Sequence, residues 1–484
     1  METVSLATAF APHIVAAVGV AIAILADAFG RRALAVFAAA GGLAAGAVVA
    51  GLAFQRPPAI SADLAVSGAG FSAVSAIVLG LAAVVILGSL GWLRATSAGG
   101  GLAALGALVA VAAAAVAQGA DLLVLLICLE AMAVGGYALV WSARTDASTE
   151  AALKYFVQGA VATGMFVLGL AILFGMYGAA TSYVWLRAGM AGMDAPPVTT
   201  AFVLIAVALG YKLGAFPFHS WAPDALESAP PHASALLAGI PKVAVGVALM
   251  LLFTRAVFPH IDPAISLWVF GALAVGSMAF GVFGGLAQRS YTRMLAYSGI
   301  AQVGYALVAP AIGAQAMMAM AVLLVAYAAA AAAAYLIAGY VRSVRPGWDG
   351  TIAGLAGIGR EHPLVGAALA VAMFSLVGMP LTAGFWGKFL VFGVAVSAGY
   401  WWLALIGVVA SVVSFGYYGA VLKSVYFESA DETRSAATAP TDAETSPDRP
   451  ALIAACVLAA AVLAVGITPL FTGLRWVAEL LSFA

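Results

Sequence analysis

The chain has 484 residues, 65% of them hydrophobic and only 8% charged, with 20 Lys and Arg balanced by 20 Asp and Glu. A soluble chain of this size carries about 25% charged residues, so the composition excludes an ordinary soluble protein and leaves lipid as the solvent. The zero net charge and the lack of a basic cluster argue against nucleic acid as a partner.

Apolar runs of about twenty residues, each able to cross a bilayer core as a helix, begin near Phe10, Ala33, Phe71, Gly100, Asp121, Ala152 and Thr199. They continue near Ser234, Ile265, Arg293, Gln315, Pro363, Tyr400 and Pro450. The expectation is one polytopic domain over 1–484, an all-α membrane protein of about fourteen transmembrane helices. A transmembrane β-barrel would alternate polar and apolar residues, and these runs do not. The first run lacks the Lys/Arg start of a signal peptide, so it is expected to stay as a helix. Connections are short except at 428–449, rich in Ala, Thr, Asp and Glu, which reads as a flexible cytoplasmic loop.

Cys128 and Cys456 lie inside apolar runs and read as small core residues, not as a disulfide or metal ligands. No Gly-rich nucleotide loop, CxxC motif or paired-His haem pattern is present. The chain is therefore expected to hold no metal and no redox cofactor of its own. With alternating spans, one side collects Arg31, Arg32, Arg94, Arg144, Arg289, Arg293, Arg342, Arg345, Arg360, Arg434 and Arg449. The other collects only Arg56, Arg187, Arg255 and Arg475. The positive-inside rule puts the first group in the cytoplasm and both termini in the periplasm.

Five charges fall within the apolar runs: Glu130, Lys154, Lys212, Lys242 and Lys388. A charge at the bilayer centre costs roughly 2.5–3.5 kcal/mol on insertion scales, and such groups usually face a wet interior and mark an ion pathway. Glu130 (in LLICLEAMAVGGYALVW) and Lys154 (in TEAALKYFVQGAVATG) flank one helical hairpin, where an ion pair between them is plausible. That pair would serve either in proton relay or as a static lock, and Lys154 alone would also suit snorkelling. Lys212 lies in GYKLGAFPFHSWAPDALESAP, where Pro217 breaks the span; broken helices occur in membranes where they line a cavity or ion site. His219 follows Lys212 by seven residues, about two turns, so both face one cavity if helix persists across the break. It would carry protons near neutral pH or merely bond a backbone carbonyl. Lys242, beside Pro241, continues the line.

A second break, in MPLTAGFWGKFLVF at Pro380 and Gly384, precedes Lys388. Two interrupted segments in corresponding halves point to inverted repeats, over 100–258 and 265–427. Between them Ser298, Gln302 and Tyr305 recur at helical spacing in YSGIAQVGY. They would hold waters linking Lys242 to Lys388 or simply join helices by hydrogen bonds.

On these motifs, above all GYKLGAFPFHSWAPDALESAP with Glu130, Lys212 and Lys242, the chain resembles the antiporter-type membrane subunits of respiratory complex I and the related Mrp-type sodium/proton antiporter subunits. Lysine at 388, the modest length and the lack of a long lateral helix look most like the N branch of the NADH–quinone oxidoreductase subunits. Gln302 stands where other members often have His, and ESAPPHA replaces the commoner EGAPxPV.

The resemblance implies a proton-translocating subunit in a bacterial inner membrane. FMN, iron–sulfur clusters, NADH and quinone would be used in other subunits, and the partners would be the other membrane and peripheral subunits of the complex. The site residues implied are Glu130, Lys154, Lys212, His219, Lys242 and Lys388. A proton would enter near Lys212 and His219, cross by Lys242 and leave by Lys388, with hydrated breaks at Pro217 and Pro380 as gates. The alternatives are an Mrp-type sodium/proton antiporter subunit and a non-conducting structural subunit.

Overall fold

The computed structural model describes residues 6–53, 59–61, 65–67, 69–119, 121–178, 196–255, 261–429 and 447–471. The termini, and residues 430–446 of the expected cytoplasmic loop, lie outside the described residues. The principal helices are α1 (Ala11–Ala28), α2 (Arg32–Leu52), α3 (Ala69–Gly88), α4 (Gly99–Val116), α5 (Leu122–Trp141) and α6 (Asp146–Tyr177). They continue as α7 (Pro196–Leu213), α8 (Trp221–Ser228), α9 (Pro231–Arg255), α10 (Pro263–Leu286) and α11 (Tyr291–Ile312). The last are α12 (Met317–Val344), α13 (Pro363–Val377), α14 (Ala383–Ser397), α15 (Trp401–Phe427) and α16 (Arg449–Phe471). Extended pairing among the described residues includes a small antiparallel hairpin, Ala59–Ser61 with Ala65–Ser67, and an isolated antiparallel bridge between Ser290 and Thr351.

Among the described residues twelve helices are long and apolar enough to cross a bilayer, or thirteen if the bent pair at Pro363 is one span, where about fourteen spans were expected. The difference arises at two places. The apolar part of α3, Ser72–Gly88, is short, and the run from Pro363 is cut into α13 and α14 of 15 residues each. Upstream of α13 the chain bends by 120° between Ala353–Glu361 and Pro363–Val377.

Local chemistry explains most helix ends. Asp121 accepts from Leu123 N at 2.7 Å to start α5, and Thr145 with Ser148 forms a capping box on α6. Asp262 caps α10 with Pro263 in its first turn. Both expected breaks are present and share one design. At α7, Gly214 (φ 77°) donates to Tyr211 O and Ala215 donates to Gly210 O. At α13, Gly378 (φ 89°) donates to Ser375 O and Met379 donates to Phe374 O. Each is a Schellman ending on glycine, which adopts that left-handed backbone without strain, and a proline follows three residues on at Pro217 and two on at Pro380. The order helix, helix, helix, broken helix, helix thus occurs over α4–α9 and again over α10–α15.

Burial sorts the helices into layers. In α9 and α11, 94% of the apolar window is inside the protein, against 33% for α6 and 28% for α15. Close approach of α9 to α12 rests on Gly239, where even a methyl group would meet the backbone of Ala328. Outer helices present Val18, Val48, Ile127, Val161 and Val412 outward, as lipid-facing surfaces do. The arginine-bearing segments meet at one end: Arg293 reaches Asp224 and Glu227, Ile352 N donates to Arg289 O, and Arg345 pairs with Glu361. Arg144 and Arg342 line one cavity at that same end, beside Glu227. Arg56, Arg187, Arg434 and Arg475 lie outside the described residues.

Candidate ion pathway

Lys212 sits in the last turn of α7, next to the first break, and its side chain is only 4% exposed. Its Nζ lies 2.6 Å from Glu130 Oε1 on α5, and Thr163 of α6 donates to the same oxygen at 2.6 Å. Two donors on one carboxylate oxygen make a charge-assisted pair that offsets the cost of burying the ammonium.

Lys154 is not Glu130's partner. It lies nine residues before Thr163 on α6, about 13 Å along the helix axis. At that level its Nζ pairs with Glu150 at 2.7 Å and Asp224 at 3.1 Å, with 46% of the side chain exposed. Asp224 and Glu227 of α8 also hold Arg293, each at 2.9 Å. Lys154 therefore belongs to a surface ion network that ties α6, α8 and α11 together.

His219 does not share a helical face with Lys212, because the helix stops at Leu213 and resumes at Trp221. Its ring lies 5.6 Å from Phe216 and 5.8 Å from Phe280, and its Nδ1 is buried with no hydrogen-bond partner. The break itself is held by Ser277, whose hydroxyl accepts from Phe216 N at 2.9 Å, and by Trp221 Nε1 donating to Tyr211 O at 3.2 Å.

Lys242 occupies the most enclosed position, on α9 at 3% exposure. Its Nζ donates to Ala238 O at 3.0 Å and stands 5.7 Å from the Tyr327 ring. No carboxylate faces it among the described ion pairs. An ammonium has three hydrogens to donate, so one protein acceptor leaves it under-coordinated. The Tyr327 hydroxyl is likewise buried without a partner. Unsatisfied buried polar groups of this kind are where internal water is commonly held.

Two of the three polar residues of α11 take the expected helix-joining role. Ser298 bonds the hydroxyl of Tyr418, and Gln302 Nε2 donates to Leu376 O at 2.6 Å, so both join helices. Tyr305 lies beside Ser411 and Ser414, and its ring is 4.4 Å from Lys388 Nζ.

Lys388, on α14, reaches back across the second break. Its Nζ donates to Leu376 O at 3.0 Å, Val377 O at 2.7 Å and Ser411 Oγ at 2.9 Å. Pro380 has no N–H to offer Leu376 O, the carbonyl four residues before it, so Gln302 and Lys388 supply the missing donors. This break is stitched by a cation, whereas the first has its lysine turned away towards a carboxylate.

Sequence reasoning missed Asp224, Glu227 and Arg293, although both carboxylates lie inside the most distinctive motif. It also missed Thr163, Tyr327, Tyr418 and Ser411, for which hydroxyls spaced along apolar helices were the only signal.

A family model described as NADH:quinone oxidoreductase/Mrp antiporter, TM matches residues 119–414, a stretch that contains all six of these ionisable residues. The chain is 34% identical over 316 residues to NADH-quinone oxidoreductase subunit N of Sphingopyxis alaskensis, covering 64% of this chain and 65% of that one. It therefore spans slightly less than two thirds of that relative. To subunit N 2 of Symbiobacterium thermophilum it is 32% identical over 401 residues, 79% of this chain and 78% of the relative. Among solved structures, a chain of respiratory complex I from Thermus thermophilus with bound aureothin superposes with a TM-score of 0.78 at 27% identity, covering 95% of this chain and 97% of that one. A chain of the Mrp complex from a Dietzia species gives 0.80 at 19% identity, covering 99% and 97%, and shares the fold.

Proposed function

Because this chain belongs to the NADH:quinone oxidoreductase/Mrp antiporter transmembrane family, we propose that it is the proton-translocating subunit N of a bacterial NADH:quinone oxidoreductase. The observation that carries this reading is a set of three lysines buried to 6%, 3% and 5% exposure, Lys212 and Lys388 at the two breaks and Lys242 in the core. Intramembrane cations with this degree of burial have a role in ion movement by default.

Glu130 and Lys212 form the input end of the path. A change in charge on or near Glu130 acts directly on Lys212, since that carboxylate is its only ionic partner among the described residues. Lys242 is the central carrier, reached through water held near the partnerless Tyr327 hydroxyl. Lys388 is the output end, and its bonds to the freed carbonyls couple its charge to the second break. The two five-helix sets, over 100–258 and 265–427, are read as inverted repeats that supply one break each. The arginine-bearing end faces the cytoplasm and both termini the periplasm, by the positive-inside rule. Flavin, iron–sulfur and NADH chemistry would reside in partner subunits.

The test is proton pumping and NADH:quinone turnover in membranes carrying Lys242→Ala. Loss of pumping and of coupled turnover in a fully assembled complex supports the relay. Unchanged pumping in an assembled complex removes Lys242 from it and favours a structural role. An Mrp-type antiporter would instead sustain sodium/proton exchange without co-purifying flavin and iron–sulfur subunits.

A further inference from the structure

At the arginine-bearing end, a cavity of about 730 Å3 opens between the α3–α4 linker, the α5–α6 turn, the α8–α9 junction and α12. Its volume falls within the roughly 300–1,000 Å3 of pockets that enclose organic ligands. One part of the wall is apolar, with Leu102, Leu105 and Pro230. The other carries Arg144 and Arg342 beside Trp92 and Trp141.

The charges in this wall are unbalanced. Among the described residues neither Arg144 nor Arg342 has an ion-pair partner; Arg144 only covers the Trp141 ring at 5.9 Å. The one carboxylate lining the cavity, Glu227, is already engaged by Arg293 at 2.9 Å. His232 adds a third polar group. It is buried, stacked on Trp92 at 5.4 Å, with Nε2 3.0 Å from Asp448 Oδ2, and its Nδ1 is buried without a partner. Two unpaired guanidiniums, an unsatisfied imidazole nitrogen and an apolar wall call for an amphiphile with an anionic head. Guanidinium forks match phosphate oxygens in geometry as well as charge. Tryptophans mark the headgroup level of a bilayer, and basic recesses between helices on the positive side suit phospholipid heads.

We propose that this cavity binds an anionic glycerophospholipid, with its phosphate between Arg144 and Arg342 and the start of an acyl chain along Leu102 and Leu105. Free phosphate shares the head chemistry but would leave the apolar wall empty, so the two sources are separable.

The experiment uses the intact assembled complex in nanodiscs of phosphatidylcholine containing a minor share of phosphatidylglycerol. It is then extracted into detergent, and the retained lipid is measured by mass spectrometry. At about 1 kcal/mol per arginine, Arg144→Gln with Arg342→Gln lowers retained phosphatidylglycerol relative to phosphatidylcholine by roughly thirtyfold. Both side chains are exposed and unpaired, so folding is little affected. The lysine pair Arg144→Lys with Arg342→Lys keeps much of the enrichment. Arg360→Gln, at an arginine outside the cavity that bonds Tyr426 O, changes nothing. Equal retention by wild type and the glutamine pair overturns the proposal, as does an equal loss in Arg360→Gln. Binding of millimolar inorganic phosphate by a wild-type complex that retains no excess of phosphatidylglycerol overturns it too, since that result identifies an anion site and not a lipid site.

Discussion

Glu130→Ala and Lys212→Met remove the two halves of one pair, and their surroundings make the costs unequal. The Lys212 side chain is 4% exposed and that of Glu130 31% exposed, with Thr163 as a second donor at 2.6 Å. Removing the glutamate strands an ammonium that water does not reach, the situation in which breaking a buried pair costs about 3–5 kcal/mol. Removing the lysine leaves a carboxylate that keeps Thr163 and some solvent, a loss of about 1.5–3 kcal/mol, that of one charge-assisted hydrogen bond. The order expected is wild type, Lys212→Met, then Glu130→Ala, with the double variant near Lys212→Met because no stranded cation remains. The assay is heat-induced loss of the monodisperse complex in detergent, read as the temperature at which half survives. If Lys212→Met is as damaging as Glu130→Ala, or if the two effects add in the double variant, the pair does not act as described.

At the second break, Lys388→Met should abolish pumping while the complex still assembles, since Gln302 still serves Leu376 O and Ser411 still serves Val377 O. Adding Gln302→Leu leaves Leu376 O without either donor and should cost a further 1–3 kcal/mol or so, visible as a lower survival temperature. Gly239→Val should push α9 from α12 and lower that temperature by the equivalent of about 1–3 kcal/mol, whereas Gly164→Ala, with open space around it, should leave it unchanged. Lys154→Ala, at an exposed network position, should leave assembly intact and shift survival far less than Glu130→Ala, most visibly at low salt.

The membrane class, both helix breaks and the burial of Lys212, Lys242 and Lys388 were legible because each follows from a local rule: too little charge, a proline inside a span, a cation inside an apolar run. Partner choice was not legible. Glu130 and Lys212 are 82 residues apart, and His232 and Asp448 are 216 apart, so each pairing depends on helix depth and rotation that no window of sequence contains. The nearer candidate, Lys154, looked suitable because a hairpin places it beside the right helix; its depth was wrong. Tyr327, beside Lys242, was invisible for another reason. A tyrosine in an apolar helix reads the same whether its hydroxyl faces lipid headgroups or an interior chamber, and only the three-dimensional arrangement leaves Tyr327 enclosed.

Lys388 has a consequence that follows from counting hydrogens. As an ammonium it owns three, and it has three acceptors in Leu376 O, Val377 O and Ser411 Oγ. As a neutral amine it owns two. Each departing proton therefore takes one thread out of the seam between α13 and α14, and each arriving proton sews it back. On the proposed path Lys388 is the last carrier, and the stiffness of that seam would then vary with whether it is full or empty.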